Sequence, residues 1–408
     1  MATIAEQLTS LANTKTAIKD AIVAKGVSVA DTDTFASYAD KISQIQAGGG
    51  GEVVNKTKFG VTIDEIFGDV DTEGTLSFPT DDMVLNLAGV KKIENDTFLY
   101  KFYRSKNIIG VDFGSVETVM ENSLGYAFYQ SFNLSSVVMP SLTLVRAYGF
   151  NHAFENCVGI TTLDLSSLEI VGEYGFSHAF RFCTGLTSVD LSSLENVGTY
   201  GMQYSFSGCD SLTSVSLPSL TTFPRYAFSY AFSDCDSLIS ADLSSLVSIT
   251  GYGGAQYMFY ACDNLTTVDL SSLETVGQSG LYGVFYDCTS LTTISLPALT
   301  SVDTSGLSFF ARNCTSLTSV DLPALQTIGS HGMTYAFYGC TSLTSISFPS
   351  LTSVQPNSFG SSTSNSAFYN CIALTEIHFR ADMQATIEAM SQYANKWGAT
   401  DATIYFDL

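Results

Sequence analysis

The chain has 408 residues, of which 17 are Lys or Arg and 39 are Asp or Glu, so its formal net charge is −22. Hydrophobic residues make up 45% of the chain, which is enough for a large core and excludes global disorder. The acidity argues against nucleic acid and anionic membranes as partners, because binding to phosphate groups requires clustered Lys and Arg.

Residues 1–47 are predicted to form a small helical module. Apolar residues follow helical spacing over residues 4–11, 18–22 and 35–45. Helices this short bury little surface by themselves. The module, in particular residues 1–46, is therefore expected to dock on a partner or to form a homo-oligomer.

Residues 48–80 follow as a connector that opens with the flexible run Gly48–Gly51. The N-terminus lacks the basic and apolar regions of a secretory signal, and the chain contains no apolar stretch of 18 or more residues. We therefore expect no membrane insertion, synthesis in a cytoplasm and no export by a standard route.

Nine cysteines recur at intervals of 26 or 27 residues, with one interval of 31, and stand at positions 157, 183, 209, 235, 262, 288, 314, 340 and 371. Each occupies the same place in one repeated unit, which predicts a stack of buried thiols that behave as small hydrophobic residues. An odd count argues against disulfides, and the spacing lacks the pairs typical of zinc ligands.

The repeat predicts the fold, because a fixed period of 20–50 residues is typical of a solenoid. Each copy contains a short alternating segment such as Leu163-Asp164-Leu165, which is typical of a strand with one buried face. Thirteen such segments lie between residues 85 and 406, and stacked at ~4.8 Å they would form one continuous parallel sheet. The predicted class is α+β, with a parallel β solenoid over residues 81–380. Residues 381–408 are predicted to form a cap, with a helix over residues 385–397 and a last strand over residues 402–406.

The consensus Ala-Phe-x-x-Cys-x-x-Leu-Thr-Ser-Val-x-Leu-Pro/Ser-x-Leu-x-x-Val-Gly, as in the copy over residues 179–198, resembles the BspA-like, or Treponema-type, leucine-rich repeat. The resemblance covers about residues 80–380 and implies a right-handed parallel solenoid of the kind found in surface and adhesion proteins. The copies depart from the usual unit by inserting several residues around Tyr-Gly-Phe.

A second resemblance covers residues 1–46. The stretches Leu11–Gly26 and Phe35–Ile42 are similar to the opening of tail-associated and fibre proteins of bacteriophages. This resemblance implies a module that attaches to other virion proteins or assembles copies of the chain.

The first candidate binding site is a ladder on the outward face of the strands. Six of its positions hold carboxylates, at Asp112, Asp164, Asp190, Asp242, Asp269 and Asp321. Neighbouring like charges repel slightly, which indicates a role in solubility or in ligand contact. The ladder could bind a glycan or weakly bind Ca²⁺, or it could be a solvated face that prevents lateral aggregation.

The second candidate is an aromatic stripe in the inserted segment. Tyrosines stand nine residues before a cysteine at Tyr148, Tyr174, Tyr200 and Tyr226, and five residues before one at Tyr204 and Tyr230. Histidines take the latter position at His152 and His178. Exposed aromatic rings can stack on sugars, and the alternative is packing between repeats. Two stacked histidines are too few for a zinc site.

We predict no catalytic residue, no metal site and no cofactor. The chain contains 4 histidines and none of the motifs of serine hydrolases, zinc proteases or P-loop proteins. The main functional hypothesis is a non-enzymatic phage virion protein of the tail or head fibre type, which recognises a bacterial surface glycan or protein. The alternative is a bacterial cell-surface adhesin of the same repeat family. A depolymerase is a distant third possibility.

Overall fold

The computed structural model describes residues 52–55, 83–87 and 89–408, and these form a parallel β solenoid of about 12 turns. Short strands stacked along the solenoid build the front sheet. Its strands are Glu52–Asn55, Met83–Asn86, Ile108–Asp112, Ser136–Val138, Thr162–Asp164, Ser188–Asp190, Ser214–Ser216, Ser240–Asp242, Thr267–Asp269, Thr293–Ser295, Ser319–Asp321, Ser345–Phe348, Glu376–Phe379 and Thr403–Phe406. Every hydrogen-bonded pair in it is parallel, and the strand at Glu52–Asn55 pairs with Met83–Asn86.

The predicted continuous front sheet is interrupted. Pairing stops at four junctions, which lie between residues 138 and 162, 190 and 214, 269 and 293, and 321 and 345. Most of these strands have only three residues, so each ladder contains few hydrogen bonds. Hydrogen bonds elsewhere in each turn therefore help to hold the solenoid in register.

A second row of parallel strands, the side sheet, was not predicted. Its strands have two residues each and follow the front strands from Met83–Asn86 to Ser345–Phe348, with one interruption between residues 197 and 222. They are Lys92–Ile93, Thr118–Val119, Leu144–Val145, Ile170–Val171, Asn196–Val197, Thr222–Phe223, Ser248–Ile249, Thr275–Val276, Ser301–Val302, Thr327–Ile328 and Ser353–Val354. The second residue of nearly every strand is a buried Val, Ile or Phe. A two-residue strand is too short to show the alternation by which strands are recognised in a sequence.

The turn segments, about ten residues between each side strand and the next cysteine, complete the turns. Their backbone N–H groups alternate between two kinds of acceptor. The N–H of His178 donates to the carbonyl of Gln203 in the next turn at 2.8 Å, whereas that of Ala179 donates to Phe176, three residues back, at 2.9 Å. Each segment is thus a series of tight turns whose remaining donors bind the neighbouring turn, which satisfies the buried backbone.

This series of turns requires left-handed backbone at three positions per copy. In one copy these are Tyr174, His178 and Phe182, with φ of 51°, 58° and 58°. Residues other than glycine pay about 1–2 kcal/mol for that conformation. The same spacing of four residues recurs in the other copies, where Gly208, Gly253, Gly283 and Gly339 take some of the positions. The aromatic stripe therefore occupies the strained positions of the turn segments.

The core is a set of columns that run along the solenoid axis. Phenylalanine rings stack from turn to turn, as in Phe154–Phe180, whose centroids are 5.0 Å apart at an interplanar angle of 5°. Leu, Val and Ile from the front and side sheets pack against them as one continuous core cluster. No turn encloses its own apolar residues, so stability comes from stacking on neighbours.

The nine cysteines are buried free thiols, as the sequence predicted. Each Sγ donates to a carbonyl of the preceding turn, for example Cys235 to Phe206 at 3.2 Å. In an earlier copy Ser131 makes the same bond to Phe102 at 3.2 Å. Burial raises the pKa of every one of these thiols, to about 12 in the case of Cys371.

The C-terminal cap closes the core with broken helical turns. The helix predicted over residues 385–397 is interrupted, because the α-helix covers only Gln384–Glu388 and 3₁₀ turns form at Ala381–Met383 and Tyr393–Gly398. Another 3₁₀ turn lies at Thr363–Asn365. Trp397 is fully buried against Phe359 and Phe379.

The predicted helical module over residues 1–47 lies outside the described residues. Within the described part of the chain, no helix has the length and apolar character that crossing a membrane requires.

Burial and a raised pKa should make all nine cysteines unreactive in the native protein. We expect no alkylation by iodoacetamide at pH 8 and nine adducts after denaturation, counted by mass spectrometry, because the thiolate is the reactive form. Modification of the native protein at the rate seen in denaturant would contradict the buried column.

Candidate functional site

The six ladder carboxylates lie on the outward face of the front sheet, as the sequence predicted from the alternation. Asp164 pairs in register with Asp190, and Asp242 with Asp269, so like charges are adjacent across the strands. Asp112 and Asp242 are half-buried, and the others are exposed.

Five of these carboxylates have a structural task. Each accepts a hydrogen bond from the backbone N–H two residues later, which caps the turn that follows the strand. The donor–acceptor pairs are Gly114 to Asp112 at 2.8 Å, Ser166 to Asp164 at 3.0 Å, Ser192 to Asp190 at 2.9 Å, Ser244 to Asp242 at 3.1 Å and Ser271 to Asp269 at 2.9 Å.

Proline accounts for four of the ladder positions that lack a carboxylate. In five turns a proline stands two residues after the ladder position, at Pro140, Pro218, Pro297, Pro323 and Pro349. Proline has no N–H to cap, and the ladder residue in four of these turns is Val or Ser. Asp321 is the exception, and its carboxylate accepts only a long 3.4 Å bond from Ser295 Oγ.

The capping bonds also affect the acidity of the ladder. Hydrogen bonds from the side chain and backbone of Ser166 lower the pKa of Asp164, and those from Ser244 lower the pKa of Asp242. Bonds to the charged form of a carboxylate favour that form. Asp164 and Asp242 therefore stay negatively charged at neutral pH although each has an aspartate neighbour.

Shallow grooves cross the front sheet where its side chains are short. One of about 540 Å³ extends from Ser214 to Pro297, and its floor includes Ala241, which stands where most other turns have Val, Leu or Ile. A second of about 490 Å³ extends from Thr162 to Ser216. Their rims carry Ser and Thr hydroxyls together with ladder carboxylates.

The first tyrosine column forms a continuous stack. Ring centroids of Tyr148, Tyr174, Tyr200 and Tyr226 lie 4.6–4.9 Å apart at interplanar angles of 10–13°. Both faces of Tyr174 and Tyr200 are thus covered by neighbouring rings. A sugar could approach these two residues only at their edges and hydroxyl groups.

The second column contains Tyr204 and Tyr230, stacked at 4.6 Å and 5°. It continues on one side through His178, His152 and Tyr126, with centroid distances of 4.3–4.8 Å, and on the other side to Tyr257 at 4.8 Å. The geometry of both columns favours packing between turns, which was one of the two interpretations of the aromatic stripe.

A third column was missed in the sequence, and it lies two residues before each cysteine and before Ser131, which takes the place of a cysteine in an earlier copy. It contains Tyr129, Glu155, Arg181, Tyr260, Tyr286, Arg312, Tyr338 and Tyr369 among others. Arg312 lies between Tyr286 and Tyr338, with its guanidinium carbon 5.1 and 4.5 Å from their centroids. The signal was available as a recurrence of Tyr and Arg at one repeat position.

Metal ligands are not gathered in the part of the chain that the structure describes. No group of three or more His, Cys, Asp or Glu is arranged there to hold an ion. The ladder carboxylates lie in a row along the sheet, whereas Ca²⁺ requires six to eight oxygens around one point.

Comparison with known proteins identifies the repeat. The model of the BspA type leucine rich repeat region matches over residues 91–230, 178–305, 229–366 and 309–395, in six copies. The chain belongs to the BspA-type leucine-rich repeat family. The family assignment predicted from the Ala-Phe-x-x-Cys consensus is thereby confirmed. No curated protein sequence matches the chain.

Solved structures of several leucine-rich repeat proteins are similar to this chain. A leucine-rich repeat protein from Bacteroides ovatus is 18% identical, with 85% of this chain and 87% of that chain covered and a TM-score of 0.42. A leucine rich cell surface protein from Faecalibacterium prausnitzii is 17% identical, with 87% and 92% covered and a TM-score of 0.33.

The predicted phage virion role receives no support from these comparisons. It depends on residues 1–46, which lie outside both the described residues and the family match. It stays a prediction, together with the attachment to virion proteins and the homo-oligomer.

The capping role of the ladder can be tested by comparing two aspartates. Asp190→Ala should lower the free energy of unfolding by about 1 kcal/mol, because it leaves the Ser192 N–H without its acceptor. Asp321→Ala should change it by less than about 0.5 kcal/mol, since Pro323 has no N–H to cap. Urea denaturation measures both, and equal losses would argue against the capping role.

At the positions with left-handed backbone, a Gly variant should be more stable than an Ala variant, which reverses the usual order. Tyr204 has a φ of 53°, so Tyr204→Gly should be more stable than Tyr204→Ala by about 1 kcal/mol, because only glycine adopts this conformation without strain. Gln203 is the matched control, since it lacks a positive φ. At position 203 the Ala variant should be more stable than the Gly variant. The same order of stability at both positions in thermal or urea unfolding would contradict backbone strain at Tyr204.

Proposed function

We propose that this chain is a non-enzymatic, cell-surface type binding protein, an adhesin that recognises a glycan or protein through its front sheet. Proteins with BspA-type repeats are commonly surface proteins and typically bind ligands without catalysis. This is the alternative to the virion hypothesis, and the family match supports it better.

The observation that carries the proposal is the uniform outward face of the front sheet. Between residues 162 and 347 the positions on either side of each buried strand residue hold only Ser, Thr and Asp: Thr162, Asp164, Ser188, Asp190, Ser214, Ser216, Ser240, Asp242, Thr267, Asp269, Thr293, Ser295, Ser319, Asp321, Ser345 and Ser347. Short hydroxyl and carboxylate groups repeat from strand to strand, so the face offers hydrogen bonds along its whole length.

The charge of this face restricts the ligand class. It contains carboxylates and no Lys or Arg at these positions, so it repels polyanionic glycans and suits neutral or basic ligands. Hydroxyl groups of a neutral glycan can bond to both Ser hydroxyls and Asp oxygens. We therefore propose a neutral glycan, or a protein surface rich in hydroxyl and amide groups.

The tyrosine columns are less suited to ligand stacking. Tyr174 and Tyr200 have both ring faces covered by their neighbours, so a sugar ring finds no free aromatic face there. The grooves on the front sheet, by contrast, are open between short side chains. We place the principal contact in the groove between Ser214 and Pro297.

Ser240→Tyr tests this placement, because a large side chain at an outward position would fill the groove. We expect binding to neutral glycans on an array, or to immobilised extracellular proteins, to weaken at least tenfold. Ser319→Tyr is the matched control, since it occupies the equivalent outward position two strands beyond Thr267 and outside both grooves.

Equal effects of the two variants would contradict a site in this groove. Binding confined to anionic glycans would contradict the proposed ligand class. Circular dichroism of each variant confirms that the solenoid is intact.

A further inference from the structure

Two histidines interrupt the second aromatic column. His152 and His178 occupy the position that Tyr126, Tyr204 and Tyr230 take in neighbouring turns. The His152 ring lies 4.4 Å from Tyr126 on one side and 4.3 Å from His178 on the other, with interplanar angles of 8° and 14°. The two imidazoles are thus stacked face to face.

The first histidine has a carboxylate partner. Glu155 is only 5% exposed, and one of its oxygens bonds to Nδ1 of His152. Its other oxygen lies 3.8 Å from the Arg181 guanidinium. Glu155, which the turn segment holds three residues away, is thus the carboxylate in contact with the His152 ring.

The second histidine has no such partner among the described residues. Nδ1 of His178 lies 2.9 Å from Ser177 Oγ, a group without charge. The charged groups near it are His152 and Arg181, both of which repel a second proton. Burial, and then these two neighbours, lower the pKa of His178 from 6.5 to about 3. Tyr126 and Tyr204, whose pKa values are raised mainly by burial, supply no negative charge at neutral pH.

We propose that the His152–His178 stack is an acid-sensitive joint, at which protonation of His178 separates two turn segments while the remaining turns stay stacked. The joint is local, because uncharged tyrosines form the same column in other turns, as in the stacked pair Tyr204 and Tyr230.

Proton linkage gives the direction in which pH changes the stability of the joint. An unfolded or opened His178 takes up its proton below about pH 6.5, whereas the closed form resists it until about pH 3. The closed joint is thus fully stable above pH 6.5 and loses stability as the pH falls towards 3. Between pH 7.5 and pH 5 the equilibrium constant for local opening should rise by roughly tenfold or more.

Opening the joint breaks particular backbone bonds. The N–H of His152 donates to the carbonyl of Ser177 at 2.9 Å, and that of Phe154 donates to Ala179 at 2.8 Å. Separation of these segments would also expose the stacked Phe154 and Phe180 rings. The acid form would therefore present an apolar surface that the neutral form conceals.

Hydrogen exchange of the full chain, followed by mass spectrometry and corrected for the intrinsic rate at each pH, measures local opening. We expect the peptide over residues 148–156 to lose protection roughly tenfold between pH 7.5 and pH 5. The equivalent peptide over residues 200–208, whose column residue is Tyr204, is the internal control and should stay protected. Equal pH dependence of the two peptides would overturn the proposal.

The paired substitution of His152→Tyr and His178→Tyr is the matched variant, because it restores the residue found in neighbouring turns. It should abolish the acid-induced exchange at residues 148–156, and persistence of that exchange would contradict the joint. Glu155→Gln should instead move opening to higher pH, since it removes the carboxylate that is bonded to the stack. If a variant fails to fold, the comparison of the two wild-type peptides still tests the proposed joint.

Discussion

The structure depends on the backbone hydrogen bonds between successive turn segments. Every second N–H of a segment donates to the next turn, as from Phe176 to Gly201 at 2.8 Å. The front sheet cannot fix the register alone, because its pairing is interrupted at four junctions. At the first of these, between the strands that end at Val138 and begin at Thr162, the turn segments remain bonded through Tyr126 and Asn151 at 2.9 Å.

This bonding explains why side chains form columns. It places equivalent residues of neighbouring turns directly above one another, so planar rings stack and short polar groups align. It also demands left-handed backbone at three positions per copy, which costs free energy wherever the residue is not glycine. Stacking of the side chains at those positions, as in Tyr204 on Tyr230, offsets part of that cost.

The columns separate structural faces from faces that are available for binding. The thiol and phenylalanine columns are buried, and the tyrosine columns cover their own ring faces. The front sheet is different, because Ser, Thr and Asp are too short to cover one another and leave grooves between strands. Its aspartates serve mainly as turn caps. A carboxylate is found where the residue two positions later has a backbone N–H that can donate to it.

Much of the fold was predictable from the repeat alone. The period of 26 residues indicated a solenoid, and Leu163-Asp164-Leu165 indicated which side of each strand is buried. The side sheet and the series of tight turns were not predictable, because two-residue strands and left-handed residues such as Tyr174 carry no periodic hydrophobic signal. The break within the cap at residues 385–397 was missed, since apolar spacing there also fits a continuous helix.

The sequence by itself determined the repeat, the buried thiols and the outward ladder, because these follow from which residue types recur at one spacing. Only the tertiary structure decided what the recurring residues do. Stacking covers the ring faces of Tyr174 and Tyr200. The backbone N–H of Ser166 donates a hydrogen bond to a carboxylate oxygen of Asp164. The physical reason is that these contacts depend on the distances and directions between atoms of different residues. The spacing of residues along the chain does not specify these distances and directions.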